Sequence, residues 1–285
     1  MNTRTTITLN LNRDQSEKLY QAFFECARTA PPYAEWSLKC ENCTITRYLS
    51  GKTVFQGPDA EVYASPFMNE TTGEFPQAGS DEVGTGDYFG PVCVCAVYCS
   101  EKDADIIRST GAHDCKQMKD SDVREAAVVL MEKLTHSLLI VEDPLYNKVH
   151  ADTNLNAIKA KLHNQAYVNL KKKVQLPGLI VIDQFTPEKS YYRYLTGEKE
   201  IIRGIHFETK AEDKYLSVGA ASVIARYAFL RVMDAMDEKY GMHFSFGSGA
   251  SADESARLFV QKYGADRLGE VAKLHFKNTE KILQK

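Results

Sequence analysis

Features that would indicate an exported or membrane-bound protein are missing from this sequence. No uninterrupted apolar run approaches the roughly 20 residues that span a bilayer. Residues 1–12 alternate polar and apolar side chains and do not place a basic stretch before an apolar core. We therefore expect a cytoplasmic protein with no membrane partner. The seven cysteines are an odd number, and Cys93, Cys95 and Cys99 share one apolar run, which is typical of reduced, buried thiols.

An excess of charge of one sign is also missing. The 35 Lys and Arg residues face 38 Asp and Glu residues. The pI is near 6.2, whereas the pI of a dedicated nucleic-acid-binding domain often exceeds about 9. Any nucleic-acid site must therefore be a local basic patch. The length of 285 residues exceeds that of one typical domain, about 100 to 200 residues, so we expect two domains.

Short motifs of several common enzyme classes are absent as well. The sequence contains no Walker loop, no H-E-x-x-H, no G-x-S-x-G and no dinucleotide-binding fingerprint. Cys40 and Cys43 have the spacing of a zinc knuckle, but no second Cys or His pair follows at the spacing of a finger, and only Cys26 lies nearby. Small hydrophobic residues in a strand and turn are the favoured interpretation, with a metal site as the lesser alternative.

The N-terminal part has the pattern of a small α+β unit. Residues 5–11 alternate as a half-exposed strand, residues 15–30 carry apolar side chains at helical spacing, and three short strand candidates follow. Residues 66–78 contain Pro, Gly and polar residues without a sustained period, which is typical of a linker. We predict a small domain at 1–65, this linker, and a second domain at 79–285.

Strands and helices alternate in the second domain, which predicts an α/β fold. Strands are expected at 91–98, 138–141 and 179–183, and helices at 123–137, 155–172 and 218–239. In the helix at 155–172, apolar residues recur three or four apart and should form its buried face; they are Leu155, Ile158, Leu162, Ala166 and Leu170.

Two adjacent acidic residues precede a glycine-rich stretch. Asp81 and Glu82 are followed by Gly84-Thr85-Gly86. Adjacent side chains on a strand point to opposite faces, so these acids share one site only if the strand ends or twists between them, and the glycines permit that bend. The glycines also leave backbone N–H groups bare, so a nucleic-acid strand can approach them closely. An ordinary solvated turn is the alternative interpretation of the pair taken alone.

Two later segments also place acidic residues at the ends of elements. Asp183 ends the apolar run 179–183, the pattern of a buried parallel strand that delivers a carboxylate to its C-terminal edge. Glu212 and Asp213 precede a helix rich in small residues. Converging carboxylates repel one another unless cations neutralise them, so a shared site implies Mg²⁺ or Mn²⁺. Two such ions about 3.5 to 4 Å apart catalyse phosphodiester hydrolysis, which is the predicted reaction.

Residues 79–91, with the sequence Gly-Ser-Asp-Glu-Val-Gly-Thr-Gly-Asp-Tyr-Phe-Gly-Pro, resemble the type 2 ribonucleases H, and ribonuclease HIII in particular. The likeness covers about residues 79–230. It implies a ribonuclease H-like catalytic domain with a central mixed sheet flanked by helices. It also implies an endonuclease that cuts the RNA strand of RNA/DNA hybrids with two Mg²⁺ or Mn²⁺ ions and leaves 5′-phosphate and 3′-hydroxyl ends.

The resemblance also implies the catalytic, metal-binding carboxylates. By position they fall on Asp81, Glu82, Asp183 and Glu212. Asp213 is the runner-up for the fourth, because Glu212 is level with the acid of the family when counted back from Ala220-Ala221-Ser222, whereas Asp213 is one place late. A solvated turn residue is the alternative interpretation of Asp213.

Contacts with the RNA strand are implied for the glycine-rich stretch. In relatives this loop contacts the ribose 2′-hydroxyl, which assigns RNA recognition to Gly84, Thr85 and Gly86. Ribonuclease HII carries an arginine at the place of Thr85. We therefore expect weaker action at a single embedded ribonucleotide, and efficient cutting of a duplex that holds only one would count against this expectation.

Three further residues are implied as substrate contacts. Lys116 lies in a segment where the family has two lysines, and Gln117 replaces the second of them, so a solvated lysine is the alternative. His163 and Asn164 lie on the polar side of the helix at 155–172, where relatives approach the backbone of the hybrid. A plain role on the helix surface is the alternative for both.

Residues 1–65 resemble the TATA-box-binding-protein-like domain that precedes the catalytic domain in ribonuclease HIII. The likeness lies in residues 46–58. It implies a curved sheet that holds the shallow minor groove of the hybrid, with Arg47, Lys52, Tyr48 and Phe55 as candidate contacts. The alternative is that both aromatic side chains fill the core of this small domain.

Two other functions stay open. The first is a non-enzymatic protein that binds hybrids through a decayed site, which incubation of a hybrid with Mg²⁺ or Mn²⁺ would distinguish. The second is a carboxylate exonuclease, although those enzymes generally space their first acids as Asp-x-Glu, whereas here the acids are adjacent. The sequence carries no signal for an oligomer, and we expect a monomer.

Overall fold

The computed structural model describes residues 5–11, 13–68, 75–112, 115 and 117–283. The chain divides into two compact units, Met1–Glu70 and Thr71–Lys285. The segment predicted as a linker, 66–78, begins inside a helix and ends inside a strand, and its central residues lie outside the described ranges.

The first unit contains a five-stranded antiparallel sheet and two helices. Its elements are β1 (Thr6–Asn10), α1 (Arg13–Ala22), β2 (Ala27–Arg28), β3 (Ala34–Lys39), β4 (Thr44–Tyr48), β5 (Lys52–Gln56) and α2 (Ala60–Met68). The strand order is β1-β5-β4-β3-β2. Leu19 of α1 and Ala60 of α2 pack with Leu38, Ile45 and Phe55 of the strands. These apolar contacts form the core of the unit.

Helix α2 does not follow from the sequence pattern, because it contains Pro66. Proline cannot donate the helical hydrogen bond to the carbonyl four residues earlier, which here belongs to Val62. The hydroxyl of Ser65 donates to that carbonyl at 3.1 Å. Ala60 and Ala64 are fully buried, so tertiary packing stabilises the helix despite the proline.

The second unit contains a mixed sheet with the strand order β10-β9-β6-β7-β8. Its elements are β6 (Gln77–Val83), β7 (Val92–Cys99), α3 (Ala104–Ser109), α4 (Asp120–Lys133), β8 (His136–Val141), α5 (Asp143–His150), α6 (Leu155–Lys171), β9 (Leu179–Asp183), α7 (Glu188–Tyr194), β10 (Ile205–Glu208), α8 (Leu216–Tyr240), α9 (Ala250–Tyr263) and α10 (Lys277–Leu283). Strands β6, β9 and β10 are parallel, whereas β7 is antiparallel to both of its neighbours. The predicted α/β class with a central mixed sheet flanked by helices is confirmed.

Apolar side chains cover both faces of this sheet. Cys93, Cys95 and Val97 of β7 pack with the core under α4 and α8, whereas Val94 and Ala96 pack with the core under α6. Six of the seven cysteines are buried, as expected, and all are free thiols. Burial raises the pKa of Cys93 to about 12, so this thiol stays protonated at neutral pH.

Helix α8 is 25 residues long, and an 18-residue stretch of it has a mean hydropathy of 1.4, enough by length and composition to cross a membrane. However, 72% of this stretch is buried inside the protein. Its small residues pack against the sheet, so α8 has the character of the core helix of a folded unit.

Helix α8 approaches β6 closely at Gly79. A Cβ atom at this position would lie 2.5 Å from the Ser217 Oγ and 2.5 Å from the backbone nitrogen of Val218. The backbone N–H and the hydroxyl of Ser217 both donate to Gln77 Oε1, at 3.1 and 2.9 Å. These contacts fix the start of α8 against the strand that carries Asp81.

Gly79→Ala should therefore lower the free energy of unfolding by about 1–3 kcal/mol, because the new methyl group forces α8 away from β6. Gly178→Ala is the matched control, since a Cβ at Gly178 meets nothing within 4 Å. Urea unfolding monitored by circular dichroism measures both. Equal stability of the two variants would contradict the close packing at Gly79.

Candidate active site

Strands β6, β9 and β10 end at the same edge of the sheet. Ser80 pairs with Ile182, so the next residues, Asp81 and Asp183, are level with one another on neighbouring parallel strands. Neighbouring strands lie about 4.8 Å apart, and residues at the same level place their side chains on the same face. The structure thus brings Asp81 and Asp183 together at the carboxyl ends of two strands.

Asp81 is half-buried and faces α8. Its Oδ1 accepts the backbone N–H of Glu82 at 2.8 Å, and the Ser222 hydroxyl of α8 donates to the carboxylate. Burial raises the pKa of Asp81 to about 8, with further contributions from the negative charges of Glu82 and Asp183. A divalent cation next to Asp81 would offset this repulsion.

Glu82 lies on the opposite side of the strand and faces α6. Its Oε2 is 2.7 Å from Nε2 of His163, and its Oε1 contacts the Lys159 ammonium. The other ring nitrogen of His163 is 2.7 Å from the Ser80 hydroxyl. Burial acts to raise the pKa of Glu82, but the hydrogen bonds and charges of His163 and Lys159 outweigh it, and the pKa is lowered.

Lys159 is a site residue that the sequence interpretation missed. Its side chain is only 10% exposed, and its ammonium also lies 4.0 Å from the centroid of the Phe185 ring. Lys159 stands four residues before His163, so both face the same side of α6. That spacing is the signal that identifies Lys159 as a second partner of Glu82.

The structure contradicts the prediction that His163 and Asn164 contact the hybrid from the surface of α6. Their exposed fractions are 0% and 3%. Asn164 donates to the carbonyl of Glu200 at 2.8 Å and accepts the N–H of Ile202 at 2.9 Å. Ten of the 17 residues of α6 are buried, and His163 and Asn164 are among them, so their polar atoms are satisfied by buried partners and not by solvent.

Asp183 is connected to the segment that carries the candidates for the fourth acid. Its Oδ1 accepts the backbone N–H of Ala211 at 3.0 Å. Ala211 begins a single helical turn that ends at Asp213. Within this turn Glu212 is 6% exposed, whereas Asp213 is exposed. The burial of Glu212 favours it over Asp213 as the acid that belongs to the site.

Cys115 lies among these acids. Burial raises its pKa to about 11, and the charges of Asp81, Glu212 and Asp213 add to that effect. The Ser222 side chain is hydrogen-bonded to both Cys115 and Asp81. Ser222 therefore connects Cys115 with Asp81 on the α8 side of the site, a contact that the sequence does not predict.

Glu208 is level with Asp183 on the next strand, β10. Its carboxylate contacts the Lys214 ammonium and lies 3.3 Å from His206 Nε2. The hydrogen bond from Lys214 is the main reason why the pKa of Glu208 is lowered. Glu208 thus has its own cationic partners at this edge of the sheet.

Within the described ranges, no three His, Cys, Asp or Glu side chains form a group that could hold a metal ion. Cys40 and Cys43 do not belong to such a group, and neither do the four predicted acids. For the acids the reason is that Glu82 faces α6 whereas Asp81 faces α8. The donor set nevertheless fits hard cations, since its atoms are carboxylate oxygens. The Asp81 carboxylate also lies close enough to Glu82 and Asp183 for their negative charges to add to the effect of burial on its pKa, and a bound cation would offset that repulsion.

The loop after β6 presents its tip to solvent. The N–H of Asp87 donates to the carbonyl of Gly84 at 3.4 Å, which closes a turn with Thr85 and Gly86 at its tip. Gly84 has a φ of +93°, and a Cβ there would lie 2.0 Å from the Pro91 carbonyl oxygen, so only glycine fits. Gly86 is exposed and has open space around it. Lys116 lies outside the described residues.

The structure also contradicts the prediction that Arg47 binds nucleic acid. Its guanidinium donates to the carbonyls of Leu11 and Gly51, at 2.7 and 2.6 Å, and to Thr53 Oγ1 at 3.2 Å, and the residue is 9% exposed. Arg47 lies on the core side of the sheet, because residues of β4 alternate between the two faces. It therefore stabilises the unit.

The other candidates in the first unit divide between the two faces of the sheet. Phe55 is fully buried and fills the core, as the alternative interpretation held. Lys52 and Val54 alternate with it and lie on the open face. There they line a surface cavity together with Thr8 and Tyr48.

An α/β unit with acidic residues at the carboxyl ends of parallel strands can bind divalent cations at that edge, and similarity to known proteins identifies the class. A family model described as Ribonuclease HII matches residues 78–279, and one described as a domain of unknown function, DUF3378, matches residues 6–78. The second unit is thus a catalytic domain of the ribonuclease HII class.

Proteins that are similar over nearly the whole chain identify the family within this class. Ribonuclease HIII of Streptococcus pneumoniae strain CGSP14 is 42% identical over 279 residues, 93% of this chain and 96% of that protein, and the enzyme of strain P1031 gives the same figures. The structure of Bst-RNase HIII in complex with Mn²⁺ matches with a TM-score of 0.74 at 34% identity and covers 98% of each chain. Aquifex aeolicus RNase H3 shares the fold, with a TM-score of 0.58 at 23% identity over 94% of this chain and 99% of that one. The chain belongs to the ribonuclease HIII family and is therefore a ribonuclease H.

The raised pKa of Asp81 makes stability depend on pH. Folding favours its protonated form, so this stabilisation is complete below the unfolded pKa of about 3.9 and is lost as the pH rises towards 8. Asp81→Asn stays neutral and should lose less stability between pH 5 and pH 8 than the unsubstituted protein. Urea unfolding in the presence of a chelator measures this. Asp152→Asn, at an exposed carboxylate, is the control, and parallel pH profiles for the Asp81 variant and the unsubstituted protein would refute the expectation.

Proposed function

We propose that this protein is an endonuclease that cuts the RNA strand of RNA/DNA hybrids with two divalent metal ions and leaves 5′-phosphate and 3′-hydroxyl ends. The observation that carries this proposal is the register of β6 and β9, which places Asp81 beside Asp183 at the carboxyl edge of the sheet. Membership of the ribonuclease HIII family supports the reaction, and the Mn²⁺ complex of Bst-RNase HIII supports the choice of cofactor.

Each acidic residue has a distinct part in this proposal. Asp81, Asp183 and Glu212 supply carboxylate oxygens on the α8 side, and Glu82 supplies them from the α6 side. When bound, Mg²⁺ or Mn²⁺ supplies the charge that activates water and stabilises the leaving oxygen. Lys159 and His163 hold Glu82 in its ionised form and fix its direction, so they are positioning residues.

Recognition of the RNA strand falls to the tip of the loop after β6. The tip residues Gly84, Thr85 and Gly86 offer backbone groups that a ribose can reach, and the 2′-hydroxyl is the group that separates RNA from DNA. The open face of the first unit, with Lys52 and Tyr48, would hold the backbone of the hybrid.

Asp183→Asn and Glu212→Gln should each abolish cleavage, because a neutral amide cannot replace an anionic metal ligand, while binding of the hybrid stays close to that of the unsubstituted protein. Asp213→Asn is the matched control, since this neighbouring acid is exposed and should be dispensable. Cleavage of a labelled hybrid with Mg²⁺ or Mn²⁺ and fluorescence anisotropy measure the two properties.

The same assay distinguishes the alternatives. Loss of activity in Asp213→Asn with full activity in Glu212→Gln would reverse the assignment of the fourth acid. A hybrid with both ends blocked is still cut by an endonuclease and resists an exonuclease. Unchanged turnover in Asp183→Asn would refute the proposed site.

Lys52→Ala should weaken binding of the hybrid and reduce by about 1 the slope of log K against log salt, because one phosphate contact is lost. Lys18→Ala is the control, since Lys18 lies on α1, which packs on the core side of the sheet. Anisotropy titrations at several salt concentrations measure the slopes. Identical slopes for Lys52→Ala and the unsubstituted protein would exclude a phosphate contact at Lys52.

A further inference from the structure

Lys273 is hydrogen-bonded to the loop at residues 84–90, which we call the recognition loop. Its contacts there are with residues 87–90, the base of this loop. This lysine is fully buried, in the segment between α9 and α10. Its ammonium donates to the carbonyl of Asp87 at 3.0 Å and also to the carbonyl of Gly90. Its backbone N–H donates to the carbonyl of Tyr88 at 2.9 Å. One residue thus engages three carbonyls of the loop.

Asp143 completes this arrangement. It begins α5, is 2% exposed, and its Oδ2 accepts the N–H of Gly90 at 3.0 Å, while its Oδ1 lies 3.7 Å from the Lys273 ammonium. The two polar backbone groups of Gly90 are therefore held by the two members of one buried ion pair. Burial raises the pKa of Asp143 to about 7 and lowers the pKa of Lys273. Burial therefore disfavours the charged form of both members of the pair.

The other side of the loop base is bonded as well. The N–H of Gly247 donates to Asp87 Oδ1 at 2.6 Å, and the N–H of Tyr88 donates to the carbonyl of Gly247 at 2.9 Å. Gly90 also donates to the carbonyl of Val271 at 3.3 Å. The base is thus fixed from two directions, whereas Gly86 at the tip has open space around it. The position of the tip follows from the position of the base.

A buried ion pair is a poor device for stability alone. Removing two charges from water costs free energy that their attraction barely offsets, and a well-packed apolar pair often stabilises a protein as much or more. What the pair adds is direction, because an ammonium ion between carbonyl oxygens fixes where those carbonyls lie. Misplacing a binding group by about 1 Å can cost about 100-fold in rate.

We propose that Lys273, paired with Asp143, is a positioning residue for RNA recognition: it fixes the loop 84–90 so that the loop tip meets the ribose 2′-hydroxyl. This inference rests on the proposed function. Lys273 touches no substrate, and it acts through Asp87 and Gly90.

The test compares two substrates. The first is a hybrid with a continuous ribonucleotide stretch, and the second carries 2′-fluoro groups on the two nucleotides that flank its preferred cut. The fluoro group keeps the sugar shape and removes the hydroxyl donor. In the unsubstituted protein kcat/KM should favour the first substrate strongly. In Lys273→Met this preference should shrink about tenfold, because a displaced tip no longer reads the hydroxyl.

Two further variants distinguish a positioning role of Lys273 from a general loss of stability. Lys273→Met combined with Asp143→Asn removes the lone buried carboxylate and keeps an acceptor for the Gly90 N–H, so it remains informative if the single variant does not fold. Leu130→Ala truncates a buried residue of α4 that makes none of the loop's hydrogen bonds. It should lower the melting temperature and leave the substrate preference unchanged.

The outcomes separate this inference from the proposed function. If the unsubstituted protein prefers the ribose substrate and the Lys273 variants keep that preference at lower stability, Lys273 is a structural brace and the inference is overturned. If the unsubstituted protein cuts neither substrate, the proposed function itself fails. A reduced preference in both Lys273 variants, with an unchanged preference in Leu130→Ala, supports the positioning role.

Discussion

The parallel pairing of β6 with β9 is the constraint on which the rest of the site depends. It sets Asp81 level with Asp183, and α8 locks β6 in place where Gly79 permits close contact. A register slip of one residue would turn every side chain of β6 to the other face of the sheet. The pairing of the strands therefore imposes the electrostatic repulsion between the carboxylates of Asp81 and Asp183. Nearby positive charges have to offset this repulsion.

The sheet gives adjacent acids different environments. Asp81 faces α8, where burial and negative neighbours raise its pKa, whereas Glu82 faces α6, where Lys159 and His163 lower its pKa. Two carboxylates separated by one peptide bond thus differ in the ease with which they ionise. A pair of groups whose environments move their pKa values apart is a recurrent basis for dividing chemical roles.

Much of the fold follows from local pattern. The apolar run at 179–183 and the helical spacing at 155–172 depend on neighbours within a few residues, so both elements were predicted within one residue of their observed bounds. Helix α2 was missed because Pro66 opposes it locally and only tertiary burial stabilises it. Arg47, His163 and Asn164 were misjudged for the same reason, since a polar side chain does not reveal whether its partner is water or a buried carbonyl.

The sequence by itself determined the α/β class, the reduced thiols, and the acidic residues Asp81, Glu82 and Asp183 as the candidates for chemistry, because these depend on residue type and on spacing along the chain. Only the tertiary structure decided that Asp81 and Glu82 face different helices, that Lys159 holds Glu82, and that Lys273 holds a loop more than 180 positions away in the sequence. Those contacts join residues whose separation along the chain carries no information about their distance in space. Local physics sets the elements, and long-range packing sets which side chains meet.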